Sequence, residues 1–269
     1  MSNELQKKID EYERLGLFDK DIWDDPLGRE ILPDEIKYYP KSFFQKIKAD
    51  FAFFLAYRYA ARAMRRGTFI IKNIVGKENL NVEGGCVLTA NHFSPLDSFV
   101  MNRVFDASKR KGDIYRVIKE GNYTSFPGFY GFLMRNCNTL PLSSNRATML
   151  KFMRATDSIL KDGNCILIYP EQSLWYNYRK PKPLKPGAFD IAVRSNVPVV
   201  PCFITMKDSE NIGDDGEPIQ EHTAFVGKPI YPDASLSRRE RSEKLRDEVF
   251  EFNKSIYESY YGIPLEYLK

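Results

Sequence analysis

The stretch CVLTANHFSPLD, residues 86–97, contains the transition that decides the fold. Its first part, Cys86–Ala90, is a short apolar run typical of a buried strand. Ser94, Pro95 and Asp97 then have the residue types that favour the N-cap, first and third positions of a helix. A strand that leads directly into a helix is the repeating unit of α/β folds. We therefore expect a strand–loop–helix junction with a histidine in its loop.

Short apolar runs alternate with helical patterns along the rest of the chain. The strand candidates are residues 86–90, 114–118, 139–142, 165–169, 199–205 and 224–226. The helix candidates are residues 95–107, 146–161 and 187–195, and a capping box at residues 237–240 begins a C-terminal helix. This order predicts an α/β fold in which helices flank a mixed, largely parallel central sheet. We assign residues 68–269 to this domain and residues 1–67 to an N-terminal helical segment.

The N-terminal segment is divided by charge. Residues 1–35 carry eleven acidic side chains and five basic ones, whereas residues 36–67 carry eight basic side chains and one acidic one. Residues 2–16 predict a short polar helix, and Pro26 and Pro33 predict a loop after it. The basic half indicates an anionic partner. The one role that charge suggests for the acidic half is to cover the basic helix.

The basic half contains a helix candidate, residues 41–66, that is rich in Phe, Tyr, Leu and Ala. A basic helix with bulky aromatic residues is suited to the headgroup region of a bilayer, which would make these residues a contact with the membrane surface. In the alternative interpretation, the aromatic side packs on the core and the cations are solvated. The sequence leaves both interpretations open.

Several classes of protein are excluded by pattern. The chain has no GxSxG, GxGxxG, P-loop or HExxH motif, and its four cysteines have no metal-ligand spacing. We therefore expect no metal site and no nucleic-acid partner, and reduced thiols in a cytoplasmic protein. The N-terminus is charged where a signal peptide would be apolar, and the longest stretch without a charge, residues 121–134, is shorter than the about 20 residues of a spanning helix. These features predict a peripheral membrane protein.

The chain contains two histidines, and they have different surroundings. His222 ends a polar stretch, residues 209–222, that predicts a surface loop and a solvated side chain. His92 follows a buried strand, and a carboxylate in the first turn of the next helix could face back to it. Asp97 would then orient the imidazole while His92 removes a proton from a hydroxyl group. Alternatively, Asp97 only completes a capping box and His92 has no catalytic role.

Four blocks resemble one family. NHFSPLD, residues 91–97, resembles the N-H-x-S-x-x-D signature of the glycerolipid acyltransferases, which include glycerol-3-phosphate and lysophosphatidic acid acyltransferases. KEGNYTSFPGFYG, residues 119–131, is similar to the family's K-x-E-L segment and the loop after it. ILIYPEQS, residues 166–173, resembles the strand that runs into F-P-E-G-T, and LKPGAFDIAVRSNVPVVPC, residues 184–202, resembles the K-x-G-A helix and the V-P-V-V-P strand. The resemblance covers about residues 68–230.

The resemblance implies an O-acyltransferase of phospholipid biosynthesis, with a glycerolipid acyltransferase fold. His92 would be its general base and Asp97 the orienting partner. The donor would be acyl-CoA or acyl-carrier protein, with no further cofactor, and the acceptor a lysophospholipid. The substrate-binding candidates in the four blocks are Asn91, Ser94, Lys119, Glu171, Gln172, Ser173, Lys185 and Gly187. Asn91 and Ser94 are expected to fix the loop, and Lys185 to contact phosphate or the carrier.

The chain departs from the family pattern where the acceptor's phosphate is bound. Ser143 and Ser144 stand where the family has an arginine, Leu174 replaces a second arginine, and Gln172 replaces a glycine. A basic cluster at residues 179–185, together with Arg146, could substitute for the two arginines. The alternatives are an acceptor without phosphate, such as a glycolipid or an amine-bearing lipid, and a relative that binds lipid without catalysis.

Overall fold

A seven-stranded sheet lies at the centre of the protein in a computed structural model that describes residues 3–23, 28–214 and 216–269. Pro26, which belongs to the predicted N-terminal loop, lies outside these residues. The strands are β1 Ile70–Val75, β2 Cys86–Thr89, β3 Ile114–Ile118, β4 Thr139–Pro141, β5 Cys165–Ile168, β6 Val199–Ile212 and β7 Pro218–Val226. Their order is β1-β7-β6-β2-β5-β3-β4, and only β6 and β7 pair antiparallel within the described chain. The predicted mixed, largely parallel sheet is confirmed.

Helices cover both faces of this sheet. They are α1 Asn3–Arg14, α2 Phe43–Arg65, α3 Asp97–Ser108, α4 Glu120–Thr124, α5 Gly128–Asn136, α6 Arg146–Lys161, α7 Gly187–Ser195 and α8 Arg238–Tyr261. Of the two largest core clusters, one contains residues of α6, α7 and α8, and the other contains residues of α3. The carboxyl ends of β2, β3, β4 and β5 meet at one edge of the sheet, which is where parallel α/β folds bind ligands.

The polar stretch at residues 209–222 is part of a β-hairpin and not the predicted surface loop. Strand β6 continues to Ile212, and β7 begins at Pro218. The outer half of β6 is exposed while its inner half is fully buried. The acidic composition that predicted a loop therefore belongs to the solvated end of a hairpin, where a strand needs no apolar side chains.

The N-terminal segment packs against the α/β domain at two places. Ile31, Ile36 and Tyr38 belong to the core cluster of α6 and α7, and the Tyr38 hydroxyl donates a hydrogen bond to the Pro141 carbonyl at 2.7 Å. Ile9 packs in a separate cluster around the fully buried Trp175. Residues before position 68 thus contribute to the core. The predicted division of the chain at residue 68 stays a prediction.

Helix α2 has small residues on its buried face and bulky ones outside. The buried residues are Ala49, Ala52, Ala56 and Ala60. Phe43, Phe44, Phe51 and Phe54 are between 54% and 74% exposed. For these four aromatic residues, the interpretation in which the aromatic side packs on the core is wrong. None of the helices within the described residues is long and apolar enough to cross a bilayer.

Candidate active site

The loop after β2 is anchored by Asn91. The Asn91 side chain donates from Nδ2 to the Ile204 carbonyl at 3.0 Å and accepts from the Ile204 amide at 2.8 Å. This pair of bonds joins the loop to β6 beyond the β2–β6 ladder, which ends at Thr89 and Pro201. The side chain is buried, so Asn91 fixes the start of the loop and does not face solvent.

His92 and Asp97 are in direct contact. The distance between His92 Nδ1 and Asp97 Oδ2 is 2.6 Å, and the same oxygen accepts from the Phe93 amide at 3.3 Å. Asp97 is 1% exposed, whereas the His92 side chain is 23% exposed. A carboxylate oxygen accepts hydrogen bonds, so Nδ1 is the nitrogen that faces Asp97 and Nε2 is the nitrogen left for a substrate. Nε2 has no hydrogen-bond partner within the described residues.

Helix α3 begins later than the sequence predicted. Its first residue is Asp97 and its N-cap is Leu96, whose side chain makes no cap bond. Ser94, the predicted N-cap, instead accepts from the Leu96 amide at 3.1 Å, which stabilises a turn before the helix. The Asp97 carboxylate is 3.5 Å from the Ser94 amide and much closer to His92. The Asp97 carboxylate therefore interacts more closely with the His92 imidazole than with the backbone before α3.

The Tyr169 ring lies against one face of the His92 ring, a contact that was not predicted from the sequence. The two rings stack with their centroids 4.4 Å apart at an interplanar angle of 21°. The Tyr169 hydroxyl is 3.1 Å from the Ser98 hydroxyl in the first turn of α3. Burial raises the pKa of Tyr169 well above its usual range, so the ring is neutral. The signal was present in ILIYPEQS, where an aromatic residue follows the strand directly.

A buried ion pair supports the His92 loop from behind. The Glu171 carboxylate accepts from the His92 amide at 3.2 Å and from the Lys182 amide at 3.1 Å, and Lys182 Nζ lies 3.6 Å away. Burial raises the pKa of Glu171, although the charge of Lys182 opposes this shift. Burial lowers the pKa of Lys182 to about 8. Glu171 was predicted to bind substrate, but its carboxylate is enclosed and holds the loop.

The two residues after Glu171 differ in their surroundings, since Ser173 is buried and hydrogen-bonded and Gln172 is exposed. The fully buried Ser173 accepts from Lys182 Nζ through its carbonyl at 2.6 Å and its hydroxyl at 2.9 Å, and this hydroxyl donates to the Phe18 carbonyl at 2.5 Å. Gln172 is exposed and has a left-handed backbone, with φ +66°. A residue other than glycine pays about 1 kcal/mol or more for this conformation. This left-handed backbone conformation therefore explains why the resembled pattern has a glycine at this position.

The predicted cations are engaged by carboxylates. Lys119 contacts Asp21, and Lys185 Nζ lies 3.0 Å from Asp19. Gly187 is the exposed first residue of α7. The structure therefore groups Asn91, Ser94, Asp97 and Glu171 around the loop of His92, and it pairs the two lysines with the N-terminal segment.

Ser143 and Ser144, which depart from the family pattern, are both hydrogen-bonded to the Glu120 carboxylate. The Ser143 hydroxyl donates to Glu120 Oε1 at 2.7 Å, and the Ser144 hydroxyl donates to Glu120 Oε2 at 3.0 Å. In the basic cluster, Arg179 pairs with Asp208 at 2.6 Å, and Lys180 pairs with Glu13 at 2.6 Å. Arg179 and Lys180 thus have carboxylate partners, whereas Arg146 is exposed and belongs to none of the ion pairs within the described residues.

His222 is buried, so the predicted solvated histidine is wrong. It lies on β7, which is enclosed between β1 and β6, and its residue is 6% exposed. His222 Nδ1 lies 2.9 Å from the Ile70 carbonyl, and the ring stacks on Phe93 with centroids 5.2 Å apart. Burial lowers the pKa of His222. The neutral ring therefore donates to the carbonyl and fills the core behind the His92 loop.

The fold matches that of a solved structure. A crystal structure of the 1-acyl-sn-glycerophosphate (LPA) acyltransferase PlsC from Thermotoga maritima superposes with a TM-score of 0.55 at 21% identity, covering 82% of this chain and 81% of that one. Residues 72–205, about half of the chain, match the family model described as Acyltransferase. The chain belongs to the glycerolipid acyltransferase family.

Named relatives agree with this assignment. A 1-acyl-sn-glycerol-3-phosphate acyltransferase of Saccharomyces cerevisiae is 26% identical over 133 residues, which are 49% of this chain and 42% of the relative. The chloroplastic 1-acyl-sn-glycerol-3-phosphate acyltransferase BAT2 of Brassica napus is 28% identical over 194 residues, which are 70% of this chain and 53% of the relative. The chain thus spans about half the length of the curated relatives it matches.

Proposed function

We propose that the protein is an O-acyltransferase that moves an acyl group from a thioester, acyl-CoA or acyl-carrier protein, to the hydroxyl group of a lysophospholipid-like acceptor. The observation that carries the proposal is the 2.6 Å contact between His92 Nδ1 and the buried Asp97, which leaves Nε2 of this partly exposed side chain available to a substrate. Family membership supports the reaction class.

The reaction uses one imidazole for two proton transfers. His92 Nε2 takes the proton of the acceptor hydroxyl as its oxygen attacks the thioester carbonyl. Asp97 stabilises the imidazolium that forms, because its charge is held 2.6 Å from Nδ1. The C–S bond then breaks, the leaving sulfur takes the proton from Nε2, and an ester and a free thiol result. Tyr169 keeps the ring plane fixed throughout, because the two rings are stacked.

An acyl-transfer assay with the two histidines exchanged in turn tests this proposal. The protein is incubated with acyl-CoA and a total lipid extract, and thiol release and the acylated product are measured by mass spectrometry. The His92→Gln variant should lose activity by a factor of about 10²–10⁴, the usual contribution of a general base. His222→Asn is the matched control, since it removes an imidazole that does not face solvent.

Two results would contradict the proposal. If the His92→Gln variant retained most of the acyl transfer activity, His92 would not be the general base. Wild-type protein that binds vesicles but transfers no acyl group to any lipid would support the non-catalytic alternative.

We further propose that the protein contacts the membrane through an aromatic surface on α2 and α5. This surface consists of Phe43, Phe44, Ile47, Phe51, Phe54, Phe129 and Tyr130, each more than a third exposed. Exposed cations on α2 and at its C-cap border it: Lys46, Lys48, Arg58, Arg62, Arg65 and Arg66. Exposed aromatic residues with adjacent cations fit the headgroup region of an anionic bilayer. Tyr59 links this surface to Phe99 of α3 at 6.0 Å between ring centroids, which brings it close to the Asp97 turn.

Point substitutions test the membrane contact better than a deletion, because residues of the N-terminal segment belong to the core. Phe51→Ser combined with Phe54→Ser should lower cosedimentation with phosphatidylglycerol vesicles several-fold. Tyr231→Ser, at an aromatic residue that is 63% exposed outside α2 and α5, is the control. Equal sedimentation of both variants and the wild type would rule out this surface.

A further inference from the structure

A carboxylate of the chain itself occupies the acceptor side of the site. Asp21 Oδ1 accepts from the Leu174 amide at 3.2 Å, and Asp21 Oδ2 contacts Lys119 Nζ. Leu174 stands where the resembled pattern has an arginine, and Lys119 is the first residue of the K-x-E-L-like block. The Asp21 carboxylate therefore binds a backbone N–H and an ammonium group, two donors that could otherwise bind an anionic substrate.

This carboxylate belongs to a segment, the N-terminal strap (residues 17–23), that is built into the domain. The Lys20 carbonyl accepts from Trp175 Nε1 at 2.7 Å, and the Phe18 ring stacks on Trp175 with centroids 5.5 Å apart. Ile22 is 2% exposed in the same cluster. The strap therefore holds its acidic side chains in place through buried apolar contacts as well as through charge.

A second carboxylate of the strap repeats the arrangement. Asp19 pairs with Lys185 at 3.0 Å, and this contact holds the pKa of Asp19 below its usual value. Lys185 is the lysine of the K-x-G-A-like block, for which the sequence predicted a phosphate contact. Both lysines of the predicted acceptor side are thus compensated by the strap, and the nearby Ser143 and Ser144 add bonds to a third carboxylate, that of Glu120.

We propose that the strap carboxylates Asp19 and Asp21 act as a built-in anion that excludes phosphate monoesters, so that the acceptor is a lysolipid or glycolipid without a terminal phosphate. A phosphate monoester would bring about two negative charges next to Asp21, where Lys119 and Lys185 already face carboxylates of the strap. A neutral glycerol or sugar headgroup has no such conflict and can hydrogen-bond to carboxylates. This inference rests on the proposed acyltransferase function, because it concerns the acceptor of that reaction.

The test compares two acceptors that differ only in the phosphate. Acyl transfer from acyl-CoA to 1-acylglycerol and to 1-acylglycerol-3-phosphate of the same chain length gives a ratio of kcat/KM values. The wild type should prefer 1-acylglycerol. Asp21→Asn keeps an oxygen for the Leu174 amide but removes the charge, and it should shift the ratio by about tenfold or more toward the phosphate acceptor, because a like charge within a few ångströms is removed.

Two further variants make the comparison specific. Lys119→Met in the Asp21→Asn background should reverse the shift, because the Lys119 ammonium group is what would bind the phosphate. Asp10→Asn is the matched control, since it removes an exposed carboxylate of α1 that bonds Gln6. A wild type that uses both acceptors equally, with a ratio that Asp21→Asn leaves unchanged, would overturn the inference.

A binding measurement tests the role of the strap independently of the acyl transfer reaction. Titration calorimetry with glycerol 3-phosphate should show binding to Asp21→Asn that is at least about tenfold tighter than to the wild type. If no variant transfers an acyl group to any acceptor, the proposed function fails, and this binding difference still decides the role of the strap. Equal affinity of both proteins, or none in either, would contradict it.

Discussion

His92 and His222 lie on two sides of one loop and have opposite environments. His92 faces outward from the carboxyl end of β2, and its Nδ1 contacts a buried carboxylate at 2.6 Å. His222 lies inside the sheet, and its Nδ1 contacts a backbone carbonyl at 2.9 Å. A carboxylate stabilises a charged ring, whereas burial beside a neutral carbonyl keeps the ring neutral. The partner and the exposure, and not the residue type, therefore decide which histidine can exchange protons with a substrate.

The largest effect is expected when the partner of His92 is made to resemble that of His222. Asp97→Asn replaces the charge with a neutral amide, which can donate to Nδ1 and so favour the unproductive tautomer. We expect acyl transfer to fall by about 10²–10⁴-fold with a small change in KM, as when the orienting carboxylate of a triad is removed. The measurement is kcat and KM against pH.

A variant with the same residue change elsewhere controls for charge. Asp106→Asn lies at the other end of α3 and removes an exposed carboxylate that accepts from Tyr57. It should leave kcat unchanged within about twofold. If Asp97→Asn and Asp106→Asn lowered kcat equally, the 2.6 Å contact between Asp97 and His92 would not be the cause of the loss.

The second prediction concerns the buried ion pair that supports His92 and has no counterpart at His222. Lys182→Met leaves the Glu171 carboxylate buried without its cation, so the free energy of unfolding should fall by about 3–5 kcal/mol. Urea denaturation measures the change. The double variant Lys182→Met with Glu171→Gln restores neutrality and should recover part of this loss. A double variant as unstable as Lys182→Met would argue against the pair as the cause.

The smallest effect is the pH dependence that His222 contributes to stability. Its pKa in the folded protein lies below the ordinary value of about 6.5, so the unfolded chain binds a proton first as pH falls. This contribution to stability is complete above pH 6.5 and is lost below it, with a slope of at most about 1.4 kcal/mol per pH unit. Asn can still donate to the Ile70 carbonyl, so His222→Asn should flatten the curve between pH 6.5 and 5. Identical slopes in variant and wild type would contradict this account.

The part of the site that follows local sequence rules was predictable. A five-residue separation across a strand-to-helix junction indicated that Asp97 could contact His92, and the structure has this contact. The pairing of Glu171 with Lys182 was not predictable, because an irregular segment joins them. The contact of Asp21 with Lys119 spans 98 residues, and no local pattern reports it.

The fold shows the same limit. Strands buried on both faces, such as β5, stand out as continuous apolar runs, and the parallel sheet followed from them. Strand β1 was missed because its burial is partial and its residues include Lys72 and Asn73. Helix α2 was ambiguous because its apolar content is too high for one face to stand out in the sequence. The spacing of Ala49, Ala52, Ala56 and Ala60 marks the buried face.

The alanine face of α2 has a consequence for how this helix can vary. Ala52 is fully buried and packs near Leu133 of α5, so each added methylene group there would have to displace α5. Phe43 and Phe44, at 72% and 74% exposed, have no such constraint. Substitutions among large side chains on the outer face should therefore be tolerated by the fold, while the inner face admits only small residues. The helix can thus adapt its outer surface without repacking the domain.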